Sequence, residues 1–339
     1  MKRYLPLAAL LAASLVIPLW VHSPYALHIF ILLFIAVATG ESWNVIGGYA
    51  GQYSVGHAAY YGLGAYGAFI LLNKQIPPWF GVWVAVAISV VVALIIGSIT
   101  FRLRGPYFVL ASIAVAEIIR LGALSWKDLT NGAEGILVSD LPPLKLGAHV
   151  ITDWNSKVPY YYMGLAMALL CILVNVAVKY SKLGYYLQAI REDQDAAHSL
   201  GIPLARTKNA GLVISAALTA LAGSYAAFYI GFIEPQSAFG LDVSVQLVLI
   251  CIIGGIGTVL GPMVGAVVLV LLSEALRANL IAQGLFKLGL DETSPTGLFL
   301  KENLAHAHVL IYGILVVVVI LFMPDGLVGF AAARLRRRK

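Results

Sequence analysis

Along its length the chain alternates long apolar runs with short polar interruptions. A helix needs about 20 predominantly apolar residues to cross the hydrocarbon core of a bilayer. Applied to this sequence, that length predicts ten spans, at about 4–21, 25–46, 54–72, 79–101, 107–125, 159–179, 207–230, 243–257, 260–282 and 307–323. The third is glycine-rich and the eighth is short. Two long polar stretches, 126–158 and 283–306, are predicted as loops on one side of the membrane, and 180–206 as a loop on the other. The expected architecture is therefore all-α: one polytopic membrane domain over residues 1–339, with about ten transmembrane helices.

Composition supports this assignment. The 339 residues are 60% hydrophobic and 11% charged, with a mean hydropathy of +0.90, against about 45–50% and 25% in a soluble domain. With 22 Lys and Arg and 16 Asp and Glu, the chain cannot cover a water-facing surface of this size. A soluble enzyme, a nucleic-acid binder and a disordered chain are excluded together. Cys171 and Cys251 lie in apolar runs, so neither a disulfide framework nor a metal motif is expected. The start, Met1-Lys2-Arg3 followed by an apolar run to Val21, resembles a secretory signal, but the run is long and Trp20-Val21-His22 offers no small-residue cleavage site. A retained first span is expected.

Placing the N-terminus in the cytoplasm and alternating puts 14 of the 22 basic residues on the inside, from Lys2 and Arg3 through Arg102, Arg104, Lys179 and Lys182 to the tail Arg334–Lys339. The outside holds Lys74, Lys127, Lys145, Lys157, Lys287 and Lys301 over much longer sequence. The positive-inside rule is met with both termini cytoplasmic, and Trp79, Trp83, Trp126 and Trp154 fall near outer ends as an aromatic belt would.

The most unusual stretch runs from Asn44 to Gly67, with seven glycines between Gly47 and Gly67. Small residues let helix backbones approach closely in lipid. Gly62, Gly64 and Gly67 spell G-x-G-x-x-G, but no strand precedes them and no acidic residue follows at the right distance, so a dinucleotide site is rejected. A second interruption, Ile253-Gly-Gly-Ile-Gly-Thr-Val-Leu-Gly-Pro262, echoes Ile46-Gly-Gly-Tyr-Ala-Gly51. Either these are broken helices around a transport path, or they are tight packing of ordinary helices. Ionisable residues within predicted spans include Glu41, His57, Glu117 with Arg120, and Glu274 with Arg277. The two acid–base pairs are spaced i,i+3 and can neutralise each other. They either fix helix rotation or act in function, the default for charge in a membrane. Glu41 and His57 flank the glycine-rich segment. His306 and His308 lie close together without an acid or cysteine at ligand spacing, so no metal is expected.

Within 180–206, Leu187, Ile190, Ala197 and Leu200 share one side of a predicted helix over about 185–200, with Arg191, Glu192, Asp193 and Asp195 mostly elsewhere. Gly201 caps it and Pro203 stops it. Such a helix can rest on lipid headgroups or dock another protein, and its mixed, mainly acidic charge favours docking over an anionic membrane surface. The chain has no G-x-x-x-x-G-K-[ST] and so no nucleotide-phosphate loop of its own.

Together these strings resemble a known family. Gly48-Tyr-Ala-Gly-Gln-Tyr-Ser-Val-Gly-His-Ala-Ala-Tyr-Tyr-Gly-Leu-Gly-Ala-Tyr is similar to the signature of permease subunits of branched-chain amino acid ABC importers of the LivM type. Arg104-Gly-Pro-Tyr-Phe-Val-Leu-Ala-Ser with Ala116-Glu-Ile-Ile-Arg120, Thr130-Asn-Gly-Ala-Glu-Gly135, and Met323-Pro-Asp-Gly-Leu-Val-Gly329 fit further motifs of that family. So does the glycine run Ile253–Pro262. Gly184 through Lys208, with Ala189-Ile-Arg-Glu-Asp193 and Ser199-Leu-Gly-Ile202, resembles its coupling loop.

The resemblance implies a sister permease, two ATP-binding cassette ATPase subunits, an external binding protein delivering Leu, Ile or Val, and no cofactor on this chain, ATP being used by the partner. Membrane lipid is the surrounding partner, and no nucleic acid is expected. Urea and short-chain amide importers have closely similar permeases. The expected ATPase-coupling residues are Gly184, Ala189, Ile190, Arg191, Glu192, Asp193 and Gly201, and the expected translocation-path residues are Glu41, Asn44, Gln52, Ser54, His57 and Glu117. Lys at positions 192 and 193 is expected to uncouple ATP hydrolysis from uptake without affecting folding. An ATP-independent transporter or channel would call for more embedded acids than Glu41, Glu117 and Glu274, and a membrane enzyme for a nucleophile or metal cluster that the sequence lacks.

Overall fold

The computed structural model describes residues 14–277, apart from 22, 139–140, 143–144, 147–148, 151–153 and 155, and thereafter 313–314, 317–318, 321–323 and 326–337. The predicted loop 283–306 and most of the predicted spans 4–21 and 307–323 lie outside the described residues.

Proline at the first helical position is compatible with helix geometry because its missing N–H has no intrahelical partner there. Three of the long helices begin this way: α1 (Pro24–Trp43), α3 (Pro78–Thr100) and α4 (Pro106–Ser125). Between them lies α2 (His57–Asn73). Ser156 caps α5 (Lys157–Lys179) by accepting from the Val158 amide. Then come α6 (Lys182–Glu192), α7 (Gln194–Ser199) and α8 (Leu204–Ile230). Gly231 ends α8 at φ +78°. A short α9 (Pro235–Phe239) leads into α10 (Leu241–Gly254), followed by α11 (Leu260–Arg277) and α12 (Gly326–Arg337). Two-residue strands decorate the connections: β1 (Ile136–Leu137) pairs antiparallel with β4 (Phe232–Ile233), and β2 (Lys145–Leu146) with β3 (His149–Val150).

Seven helical stretches among the described residues are long and apolar enough to span a bilayer: Pro24–Tyr49, Pro78–Thr100, Pro106–Ser125, Lys157–Lys179, Leu204–Ile230, Pro235–Gly254 and Leu260–Arg277. The predicted third span starts only at His57, leaving a 17-residue helix. The short eighth is lengthened by α9.

The chain divides into two compact units, Met1–Val248 and Leu249–Lys339. In the first, α8 is central: 78% of its most apolar stretch is buried, and it packs on α1, α2 and α3. Helix α5 pairs with α1, and α2 with α3. Lipid tails provide no hydrophobic drive between helices, so close backbone contact and interhelical hydrogen bonds have to hold the bundle. The G-x-G-x-x-G glycines do this on α2. A Cβ at Gly64 would sit 2.0 Å from the Ala220 carbonyl oxygen, one at Gly62 2.2 Å from the Phe239 ring, and one at Gly67 2.6 Å from Ala85 Cβ. Ser224 Oγ donates to the Gly64 carbonyl across the same crossing (2.8 Å).

In the second unit the glycine run 253–262 is a true break between α10 and α11, with Gly255 and Gly257 at φ +127° and +77°. The two helices then meet backbone to backbone, since a Cβ at Gly254 would lie 1.7 Å from the Gly261 carbonyl oxygen. Both glycine interruptions therefore break helices and also pack them closely.

Candidate functional site: a glycine-broken membrane centre and the helix pair that grips it

Helix α1 does not simply stop. From Asn44 to Tyr49 it widens into a π-helical turn, after which residues 51–56 are non-helical and α2 starts at His57. Gly51 adopts φ +64°, which a side chain would strain. Exposed backbone within a bilayer needs partners inside the protein, and hydroxyl side chains provide several here. Ser112 on α4 accepts from the Val55 amide (3.0 Å), and Ser244 on α10 accepts from the Ala58 amide (2.8 Å), replacing the cap that Gly56 lacks. Trp43 folds over Gly47, where a Cβ would be 2.3 Å from the indole, and its indole N–H donates to the Ser54 carbonyl (2.7 Å).

His57 is fully buried between two hydroxyls. Ser215 Oγ donates to the Ser42 carbonyl (2.7 Å), so it accepts from His57 Nε2 (2.8 Å). In the neutral ring Nδ1 then accepts from Ser54 Oγ (2.9 Å). On the other side of α1, Asn175 Nδ2 donates to the Glu41 carbonyl (2.9 Å), and the Tyr49 hydroxyl donates to Asn175 Oδ1. Gln52 Nε2 turns back on the Ala50 carbonyl (3.1 Å). Glu41 is fully buried, and among the described residues neither carboxyl oxygen has a hydrogen-bond donor.

The sequence-predicted path residues thus separate. Glu41, Asn44, Gln52, Ser54 and His57 are brought together but are all buried at the break. Glu117 stands apart on α4, its side chain 48% exposed and held by Arg120. The Glu117–Arg120 pairing read from the i,i+3 spacing forms at 2.5 Å, while Glu274 and Arg277 approach only to 3.8 Å. An apolar cavity of about 400 Å³ is lined by Trp79, Trp83, Met163 and Tyr225, with almost no polar surface to orient a substrate.

The segment after α5 differs from its sequence expectation. One helix over 185–200 is predicted, but α6 and α7 are separate and Asp193 between them is extended. Its carboxylate accepts from the Asp195 and Ala196 amides (2.8 and 2.9 Å), capping α7. A Lys at 193 therefore removes a cap as well as a charge, and the expectation that it leaves folding untouched is corrected. Helix α7 ends in a full Schellman motif: Gly201 N–H bonds the His198 carbonyl (2.9 Å), Ile202 N–H bonds the Ala197 carbonyl (3.1 Å), and Gly201 has φ +82°. Ile190, Ala197 and Ile202 form a small core, with Ala189 packed against it. Gly184 has no room for a side chain, as a Cβ would be 2.1 Å from the Val178 carbonyl oxygen. Glu192 and Asp193 are exposed.

Arg191 is exposed but reaches back to the break. Its Nη1 donates to the Gly48 carbonyl at the end of the π turn (2.7 Å), and its stem passes 3.1 Å from where a Gly51 Cβ would be. The helix pair therefore grips the broken centre directly. Sequence reasoning missed Lys208, buried at the start of α8, whose Nζ donates to Gln194 (2.9 Å) and lies over the Phe101 ring (5.8 Å). It also missed Ser42, Ser112, Asn175, Ser215 and Ser244. The available signal was polar residues at packing positions of otherwise apolar helices.

This architecture defines a polytopic helical membrane protein with broken helices in its interior and a charged helix pair tied to them. A family model described as the branched-chain amino acid transport system / permease component matches residues 25–322, and the chain belongs to that family. It is a multi-pass inner-membrane protein of a transport system, and its part in that system is that of a permease. It is 30% identical over 298 residues, 81% of its length and 69% of the relative's, to the high-affinity branched-chain amino acid transport system permease protein LivM of Salmonella typhimurium. Against LivH of Escherichia coli K12 the identity is 24% over 67% of this chain and 77% of the relative. Against the autoinducer 2 import system permease protein LsrC of an Enterobacter species it is 26% over 60% and 58%. No solved structure gives a significant match.

Proposed function

We propose that this chain is one membrane subunit of an ATP-driven importer that carries leucine, isoleucine and valine into the cytoplasm. The observation that carries this reading is the helix pair α6–α7: its apolar side chains close on the protein, Glu192 and Asp193 face outward, and Arg191 connects it to the break in α1. A moving partner docked on the acidic face would thereby act on the membrane interior. The substrate assignment is supported by the LivM relative, whose similarity covers more of the chain than that of LsrC.

The complete assembly then comprises this chain, a sister permease, two ATP-binding cassette subunits and an external binding protein that docks on loops 126–158, 231–242 and 283–306. ATP is bound and hydrolysed by the separate subunits, and this chain holds no cofactor. The family match crosses both compact units, which supports treating residues 1–339 as one permease domain with ten spans and both termini in the cytoplasm. Glu41, Asn44, Gln52, Ser54 and His57 belong to the stretch that rearranges as the path opens, and Glu117 to the boundary between this chain and the sister permease, along which the path runs.

Purification of the tagged chain from its native membrane, followed by uptake assays in vesicles loaded with ATP, tests the proposal. Co-purifying ATPase and ATP-dependent uptake of radiolabelled leucine are expected. Uptake of urea or a short amide in place of leucine would transfer the reading to that substrate class. Leucine uptake by the chain alone, without ATPase, would identify a secondary transporter or channel and overturn it.

A further inference from the structure

Helices α3 and α4 follow one another and both lie open: 22% and 17% of their most apolar stretches are buried. Their open faces are chemically different. On α3 that face presents Ile88, Val91, Leu94, Ile95 and Ile99, and the Ser98 hydroxyl turns back onto the Ile95 carbonyl (2.7 Å). It carries no charge and suits lipid tails. On α4, Leu110 and Ile118 are 63% and 67% exposed, and between them stands the half-exposed Glu117 carboxylate. It lies eight residues, about 12 Å, from the end of the helix, at a depth where charge against hydrocarbon is costly.

The carboxylate is oriented and still has free acceptor capacity. Arg120 Nε and Nη2 donate to its two oxygens (2.8 and 2.5 Å), and Arg120 Nη1 is anchored on Gln236 (2.8 Å). Each oxygen thus takes one of these bonds and keeps capacity directed outward. The glycines differ in the same sense. Gly81 and Gly97 of α3 lie against Leu71 and Asn209 of this chain, whereas among the described residues nothing lies within 4 Å of a Cβ at Gly122 of α4. A glycine inside a helix is unfavourable relative to alanine, and packing among the described residues does not account for it. Close approach of another helix backbone does.

We propose that the open face of α4, from Leu110 to Gly122, is the seam on which a second permease-type subunit packs, that subunit bringing hydrogen-bond donors to Glu117. This rests on the reading of the chain as one of two membrane subunits. A second copy of this chain fits less well, because two-fold packing on this face brings both Glu117 carboxylates to one seam.

The test is a benzoylphenylalanine photo-cross-linker placed at position 118 of α4 or at position 95 of α3, in the chain expressed in its native membrane. At 118 the expected product is an adduct whose peptides identify a second permease of this family. At 95 the expected product is lipid adducts alone. Glu117→Lys should lower the adduct at 118 by about tenfold, because a basic group then meets the partner's donors, while Glu117→Gln keeps most of it. Lipid adducts alone at 118, an adduct with a second copy of this chain, or a permease adduct at 95 would each overturn the proposal. ATP-dependent leucine uptake in the same vesicles keeps the two failures distinct, since uptake with only lipid adducts at 118 sinks the seam and leaves the transport reading standing.

Discussion

The break between α1 and α2 and the segment α6–α7 are both rich in polar side chains, but they direct them oppositely. At the break, Ser54, His57, Ser215 and Ser42 close on one another, and Asn175 joins Tyr49 to the Glu41 backbone. In α6–α7 it is Leu187, Ile190 and Ala197 that are buried, with Glu192 and Asp193 on the outside. A sealed polar cluster in a membrane protein holds backbone in place, because water is not there to do it. An outward acidic face on a small apolar core is available to a partner. The contrast separates a sealed joint from an exposed acidic face, and Arg191 runs from one to the other.

That contrast can be broken most easily at the joint. Gly64→Val forces a branched side chain into the Ala220 backbone, and overpacking of this kind costs about 1–3 kcal/mol or more. Loss of folded protein in detergent, by size-exclusion profile, is the expected outcome, and an unchanged profile would mean that the α2–α8 crossing is loose. His57→Leu leaves the Ser54 hydroxyl without its ring partner, while Ser215 keeps its bond to the Ser42 carbonyl. Each unsatisfied buried group costs about 1–3 kcal/mol, so thermal unfolding should shift down by several degrees. Asp193→Ala removes the α7 cap at about 1 kcal/mol, and should raise amide exchange within 194–199 while leaving the membrane helices protected. The smallest expected effect on stability is at the contact surface itself: Glu192→Lys should leave the melting temperature unchanged, since the side chain is exposed and loses no resolved bond. A fall comparable to that of His57→Leu would erase the distinction between the two regions.

The membrane architecture was legible because hydrocarbon thickness fixes helix length, and the two glycine runs did mark helix breaks. The glycine at 201 announced a helix end that the structure completes as a Schellman motif. The π turn at Asn44–Tyr49 was not legible, since one extra residue per turn leaves no compositional mark. The division of α6 from α7 was hidden because apolar residues keep helical spacing straight through Asp193, whose carboxylate ends one helix by starting the next. The partners of the break were beyond reach for another reason: Ser215 lies 158 residues from His57, and Ser244 lies 186 residues from Ala58. Nothing local in an apolar helix reveals which distant backbone group its serine will meet. Arg191 was grouped with Glu192 and Asp193 as a coupling residue, and nothing local in the sequence shows that it also reaches back to Gly48.

The proposed role of α6–α7 is to transmit force from an ATP-hydrolysing partner to the break. It is tested most directly by measuring leucine taken up per ATP hydrolysed in vesicles containing the complete complex, for wild type and Glu192→Lys. Uptake per ATP should fall by about tenfold or more in the variant, as expected for a reversed charge at a complementary contact, with the protein equally folded. An unchanged ratio, with the partner still bound, would contradict it.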